Sequence, residues 1–180
     1  MTAASRSEVR VIAAGRFLTL VDEDGWEYVT RSGVSGVVVI VAVTDEGRLL
    51  LVEQPRTSIG RRVIELPAGL VGDTGERRGE SLAEAARREL EEETGYAARE
   101  LERLAEGPVA VGVADEIVTF FHAKGLTRVG PGGGDATEQI TVHEIALPDL
   151  RRFLAGIQRA GLAVDPKIYA GLFLAGVGTK

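Results

Sequence analysis

The chain contains no cysteine. Disulfide bridges and thiolate metal sites are therefore excluded, and a cytoplasmic home is the expectation. Histidine is nearly as scarce, with only His122 and His143 present. A histidine-rich transition-metal site cannot be built from two such residues. Any metal must be held by oxygen, which points to magnesium, manganese or calcium. Long apolar runs are missing too. The longest, residues 34–43, is too short to span a bilayer, contains Ser35 and Gly36, and reads as a buried strand. The first ten residues are small and polar, without the apolar centre of a signal peptide. Net positive charge is absent as well. At a formal −6 the molecule has no overall field to draw in nucleic acid, and neither nucleic acid nor membrane is an expected partner.

What is present is the composition of an ordinary folded domain: 44% apolar and 27% charged residues over 180 positions, enough for a real core. Apolar runs at 10–13 and 16–21, the turn signal Asp22-Glu23-Asp24-Gly25 and a strand at 26–31 predict a small antiparallel sheet. Residues 37–44 and 48–53 are strong strands about the turn Asp45-Glu46-Gly47, and 62–66 is another, stopped by Pro67. Strands follow near 117–123 and 140–146, separated by a glycine-dense segment, 129–135, expected to be mobile. A helix is predicted over 81–94. Ser81 and Glu84 have the spacing of a capping box, Gly95 suits the left-handed position past the last turn, and Leu82, Ala85, Ala86 and Leu90 make the apolar stripe. Two more helices are expected, one beginning over 148–155 and one after Asp165-Pro166, where Asp165 can cap and Pro166 suits the first turn. With no repeat and no dividing linker, this mixture predicts an α+β fold or an α/β/α sandwich.

The helix at 81–94 carries the chemistry. In Arg88-Glu89-Leu90-Glu91-Glu92-Glu93-Thr94, Glu89, Glu92 and Glu93 stand at i, i+3 and i+4 and share one face. Like charges at these spacings repel by a few tenths of a kcal/mol per pair, roughly. They also lie near the helix C-terminus, where the macrodipole disfavours anions. Such a cluster is either a solvated surface face or a grip for a cation. Magnesium, which takes oxygen ligands and bridges to phosphate oxygens, fits the second reading.

The spacing around the cluster resembles a known family signature. Glu80, seven residues, Arg88-Glu89-Leu90, one residue, Glu92-Glu93, one residue and Gly95-Tyr96 match the Nudix box from its first glutamate onward. The resemblance implies a Nudix-type α/β/α sandwich around a mixed sheet. It implies that Glu89, Glu92 and Glu93 bind divalent metal, Mg2+ first and Mn2+ as a possibility, and that Glu80 and Arg88 pair to fix the helix. Flanking segments are similar to the ADP-ribose pyrophosphatase branch. These are Leu50-Leu51-Val52-Glu53-Gln54-Pro55-Arg56, Ile64-Glu65-Leu66-Pro67-Ala68-Gly69-Leu70, and Trp26-Glu27-Tyr28-Val29 with Arg31.

In that branch the Ala68 carbonyl would be a further metal ligand, and Arg56, Glu65 and Arg31 would lie near substrate. The branch also implies a homodimer that exchanges the N-terminal sheet, giving residues 1–35 a dimerisation role and 36–180 the hydrolase domain. Trp26 and Tyr28 would stack on adenine, with strand packing as the alternative. Glu138, ahead of the strand at 140–146, is the first candidate for general base, on a loop that the nearby glycines would let close; Glu116 of the Asp115-Glu116 pair is the second candidate or a substrate contact. A solvated loop residue is the bland alternative for Glu138. Both histidines lie in apolar or alternating strands and are assigned no catalytic part.

Three departures stand out. The box glycine position is Thr74, and ten residues separate Gly69 from Glu80, so the loop at 70–79 is lengthened and carries Arg77 and Arg78. That loop is either a surface insertion or a source of phosphate contacts. Val111 stands where the branch usually has proline, and Pro55 where a bulkier residue is frequent. The function implied is magnesium-dependent cleavage of a nucleoside diphosphate derivative, ADP-ribose first, giving AMP and ribose 5-phosphate. Other nucleoside diphosphate sugars, NADH and coenzyme A are runner-up substrates. A nucleotide-binding sensor and an interaction protein with an acidic surface helix are the non-enzyme alternatives.

Overall fold

Strand β4 (Gly36–Ala42) reads GVVVIVA, and its side chains are buried on both faces. Val38, Ile40 and Ala42 point to one cluster and Val39 and Val41 to another. A strand covered on both sides needs no polar alternation, which explains the continuous apolar run. The structure is a computed structural model that describes residues 8–72, 77–134 and 138–178.

The remaining elements are β1 (Arg10–Ala14), β2 (Leu18–Glu23), β3 (Trp26–Arg31), β5 (Arg48–Arg56), β6 (Arg61–Glu65), β7 (Ala68–Val71), α1 (Leu82–Thr94), β8 (Tyr96–Pro108), β9 (Ile117–Arg128), β10 (Thr141–Ala146), α2 (Leu150–Arg159), β11 (Ala163–Val164) and α3 (Lys167–Leu174). They form three sheets, ordered β1-β2-β3, β10-β5-β6-β11 and β7-β4-β9-β8. The last is mixed, because β4 runs parallel to β9 and antiparallel to β7. Helix α1 covers one face, packing Ala85, Ala86 and Leu90 against Val38, Ile40 and Phe121. On the other face Leu150 and Leu154 of α2 and Ile168 of α3 close over Val39, Val41, Leu51, Ile64 and Phe120. The architecture is an α+β sandwich with helices outside and sheets between.

Most predicted elements are found, with shifted ends. The β2–β3 turn uses Asp24 at φ 53 and Gly25 at φ 83, the pair of positive φ values that a two-residue hairpin of right-handed twist demands. Helix α1 starts at Ser81, whose hydroxyl accepts from the Glu84 amide at 3.2 Å while the Glu84 carboxylate accepts from the Ser81 amide at 2.8 Å. Helix α2 runs from Leu150 to Arg159, after a 3-10 turn at Leu147–Asp149. Asp165 accepts from the Lys167 amide at 2.8 Å, as a cap should.

Strand β8 was not expected. Its sequence, YAARELERLAEGP, is made of helix formers, yet it pairs along its length with β9. Strand preference is context more than intrinsic propensity, and the β9 edge supplies that context.

The glycine segment has a different use from the one expected. Backbone amides of Val129 and Gly130 donate to Gly95 O at 2.8 and 3.1 Å, that of Gly133 to Glu93 O at 2.8 Å and that of Gly134 to Glu92 O at 3.0 Å. These are the carbonyls a helix C-terminus leaves without partners. A β-carbon on Gly132 would fall 2.4 Å from the Thr94 carbonyl carbon, and one on Gly95 2.3 Å from Gly130 O. Close backbone approach, rather than mobility, is what these glycines provide over 129–134.

Candidate active site

The first part of the site to be fixed is the base of α1. The Arg88 guanidinium meets Glu80 with two prongs, Nε to Oε1 at 2.9 Å and Nη2 to Oε2 at 3.1 Å. It also donates to Leu70 O at 3.1 Å, to Glu89 at 2.7 Å and to Glu92 at 3.0 Å. One planar cation thereby ties the loop before the helix, strand β7 and the acidic face together, a task for which the guanidinium fork is suited. Glu80 and its neighbours raise the Arg88 pKa, and the Arg88 hydrogen bonds hold the Glu80 carboxyl below its usual range.

The acids themselves are held at an energetic cost. Glu93 is 2% exposed, and its carboxylate accepts from the Ala68 amide at 3.0 Å. Burial pushes its pKa well up against the opposing effect of that amide, and the charges of Glu89, Glu138 and Glu65 push it further. Burial likewise raises the Glu89 carboxyl to about 7, although Arg88 pulls the other way; Glu92 and Glu138 add to the rise. Gly69 leaves room for Glu89, since a β-carbon there would lie 1.9 Å from its carboxyl carbon. Glu92 is more open and is bound by Arg88 and by Arg77, whose Nη2 lies 3.4 Å from it. Among the described residues no three acidic side chains close into a ready-made cation cage.

An open pocket of about 710 Å³ faces this helix. Glu89, Glu93, Glu138, Ala68 and Gly69 form its acidic end, and Arg31, Arg56, Glu65 and Glu116 also border it. Arg56 grips Glu65 through Nε–Oε1 at 2.9 Å and Nη2–Oε2 at 2.5 Å, and Gln54 donates to the same carboxylate at 3.3 Å. The Glu65 hydrogen bonds raise the Arg56 pKa despite burial. Arg31 of β3 reaches Glu116 at 3.3 Å, and β3 is bonded to the loop before β9 through the Val29 amide and Val113 O at 2.8 Å.

Of the residues singled out from the sequence, Arg31, Arg56, Glu65, Ala68, Glu89, Glu93, Glu116 and Glu138 thus share one cavity. Five do not border it: Glu80 and Arg88, paired with each other, and three more. Glu92 faces Arg77 and Arg88, Tyr28 donates its hydroxyl to Glu23 at 3.0 Å, and Trp26 is 63% exposed at the hairpin end. Arg77 contacts the acidic helix, Arg78 is exposed, and Thr74 lies outside the described residues.

Sequence reasoning missed Asp165 and Lys167, an ion pair on the pocket wall where α3 begins. The Asp-Pro-Lys string gave only a capping signal. It also missed a partner for His143, whose Nε2 lies 3.0 Å from Glu53 across 90 residues of chain. His122 is half-buried in β9, and burial lowers its pKa.

The donor set at the acidic end is all oxygen, running from buried Glu93 to exposed Glu138, with Arg88 paired to Glu89 and Glu92. That chemistry fits a hard divalent cation such as magnesium or manganese and does not fit zinc or copper.

A capped helix that offers spaced glutamates to a pocket, inside a mixed-sheet sandwich, defines the class of α+β fold to which the chain belongs. The chain belongs to the Nudix family, with the NUDIX domain matching residues 34–157. It is 39% identical over 115 residues to the ADP-ribose pyrophosphatase of Bacillus subtilis (strain 168), covering 63% of this chain and 60% of that one. It is 34% identical over 120 residues to the methanol dehydrogenase activator of Bacillus methanolicus, covering 66% and 62% respectively. The chain therefore spans about three-fifths of the length of these curated relatives. A solved structure described as an ADP compounds hydrolase has the same fold, with a TM-score of 0.69 over 97% of this chain and 95% of that one, at 21% identity. No described helix is long and apolar enough to cross a membrane.

Proposed function

We propose that this protein hydrolyses the diphosphate linkage of a nucleoside diphosphate derivative with a divalent cation, and that ADP-ribose is the substrate, yielding AMP and ribose 5-phosphate. The observation that carries the reading is the meeting of Glu89, Glu93, Glu138, Arg56 and Arg31 in one cavity. Similarity to an ADP-ribose pyrophosphatase supports the choice of substrate.

Glu89, Glu92, Glu93 and the Ala68 carbonyl would hold the cations, magnesium first and manganese as the alternative. The bound ions supply neutralisation of the diphosphate charge and a more acidic water. Arg88 holds Glu89 and Glu92 in register, and Glu80 keeps Arg88 in place. Glu138 takes the proton of the attacking water as it adds to one phosphorus, while the bond from that phosphorus to the bridging oxygen breaks and the bridging oxygen leaves on the other phosphate; Glu116 is the second candidate or a substrate contact. Arg56, oriented by Glu65, and Arg31, oriented by Glu116, offer charge-assisted hydrogen bonds to phosphate or ribose oxygens. Binding the substrate along the cavity holds its diphosphate against the acidic end and converts the attack into a positioned one.

The N-terminal sheet supports a homodimer. Val11, Phe17 and Trp26 are 59%, 62% and 63% exposed, and a second copy packed on this sheet would cover them. In such a dimer residues 1–35 are the exchanged element and 36–180 the hydrolase domain. Trp26 and Tyr28 would reach a nucleobase across the interface, and the substrate partner would be small. A cytoplasmic setting agrees with the lack of cysteine.

The test is incubation of purified protein with ADP-ribose and magnesium, followed by product separation. AMP and ribose 5-phosphate in equal amounts, abolished by a chelator, are the expected outcome. Faster cleavage of another nucleotide sugar, NADH or coenzyme A in the same panel overturns the substrate choice. Binding without cleavage of any member overturns the hydrolase reading.

A further inference from the structure

Glu138 sits between two anchor points, and only one of them touches the acidic helix. On the N-terminal side the Gly133 and Gly134 amides are bonded to Glu93 O and Glu92 O. On the C-terminal side the next residue, Gln139, offers its carbonyl oxygen to Arg62 Nη2 at 3.2 Å. Arg62 is not among the residues that border the cavity. Its guanidinium is itself held in place: Nε donates to Glu53 Oε1 at 2.5 Å and Nη2 to Glu53 O at 3.1 Å. The second Glu53 oxygen lies 3.0 Å from His143 Nε2, and the His143 ring packs tilted on Phe153 with centroids 5.3 Å apart. Glu53 and His143 stand on β5 and β10, and Thr141, just past Gln139, is the residue opposite Glu53 in that ladder.

The chain therefore enters the sheet under a clamp from β6, one residue after the candidate base. A carboxylate that must meet a water within hydrogen-bond reach is sensitive to displacements of about 1 Å. An anchor on the adjacent carbonyl limits such displacement.

We propose that Arg62 is a positioning residue for the reaction, acting through the Gln139 carbonyl to set the place of Glu138, with Glu53 and His143 orienting the guanidinium. This rests on the reading of Glu138 as general base.

The experiment compares kcat and KM for magnesium-dependent ADP-ribose hydrolysis in the parent, Arg62→Met, Arg62→Lys, Glu138→Gln and the Arg62→Met/Glu138→Gln double variant, with thermal midpoints measured alongside. Methionine keeps the apolar stem and removes every donor. Arg62→Met is expected to lower kcat about tenfold with KM within about twofold. Arg62→Lys, which keeps one donor, is expected to fall between the two. In the Glu138→Gln background the Arg62 substitution should cost less than about twofold, because residues acting through one another do not add.

Parent kcat in Arg62→Met overturns the inference while leaving the base assignment intact. A full repeat of the about tenfold loss on top of Glu138→Gln overturns it as well. Parent kcat in Glu138→Gln refutes the base assignment itself, and the inference falls with it. Should Arg62→Met fail to fold, Glu53→Gln, which weakens the hold on Arg62 while leaving it present, is read by the same criteria.

Discussion

Replacing Glu89 with glutamine should stabilise the cation-free protein at high pH and leave it nearly unchanged at low pH. The Glu89 side chain is 13% exposed and its carboxyl is raised from 4.5 to about 7, with burial the first cause. A carboxyl whose folded pKa is raised contributes stability that is complete below its unfolded pKa and lost as pH rises through the folded one. The window therefore runs from about 4.5 to about 7. Above it, the shift corresponds to about 3 kcal/mol of lost stability, at 1.36 kcal/mol per unit. Glutamine resembles the protonated acid and avoids that loss. For a chain of this size the gain is worth roughly 6–12 °C in thermal midpoint at pH 8, shrinking to under about 1 kcal/mol at pH 5. The assay is thermal unfolding of both proteins in chelator at the two pH values, then with magnesium at pH 8. Magnesium should raise the parent midpoint and raise the variant less. Equal offsets at both pH values, or a variant less stable than the parent at pH 8, would refute the claim that Glu89 carries a buried, under-compensated charge.

Three further outcomes follow from the geometry. Gly132→Ala forces a β-carbon toward the Thr94 backbone at φ +69; the backbone conformation alone costs about 1–3 kcal/mol, so chemical denaturation should show at least that loss, and kcat should fall with it. Glu80→Gln leaves Arg88 with a weakened partner in a pair 12–17% exposed; about 3 kcal/mol of stability should be lost, read as a drop in midpoint, with the magnesium response reduced. Trp26→Ala should raise KM for ADP-ribose about tenfold with kcat retained, as loss of one base-stacking face does; an unchanged KM assigns Trp26 to the sheet surface alone.

How much of this was legible in the chain depends on how local the cause was. The α1 start, its stripe and its end are set within one turn by Ser81, Glu84 and Gly95, so they could be read directly. The spacing of Glu89 and Glu93 likewise put both on the side of the helix that meets the pocket. Strand β8 could not be read, because its residues favour a helix and only the neighbouring β9 edge overrides that preference. The contacts of Arg62 with Gln139 and of His143 with Glu53 span 77 and 90 residues, and no local spacing announces them. The glycines at 130–134 were visible but misread. Glycine permits both motion and close packing, and sequence alone does not distinguish them. The Glu92 direction was also hidden, since helical periodicity gives a face and not the cation that occupies it.

The docking of residues 129–134 on the end of α1 also limits how such a protein can be rebuilt. Among the described residues, loop and helix end share four main-chain hydrogen bonds. A graft that moves the acidic helix into another scaffold would strip its last carbonyls of their partners unless the glycine segment travels too. Lengthening either piece by one residue would shift the amide register by one place and carry Glu138 with it. The two stretches, some 35 positions apart in the chain, therefore constitute a single transplantable module.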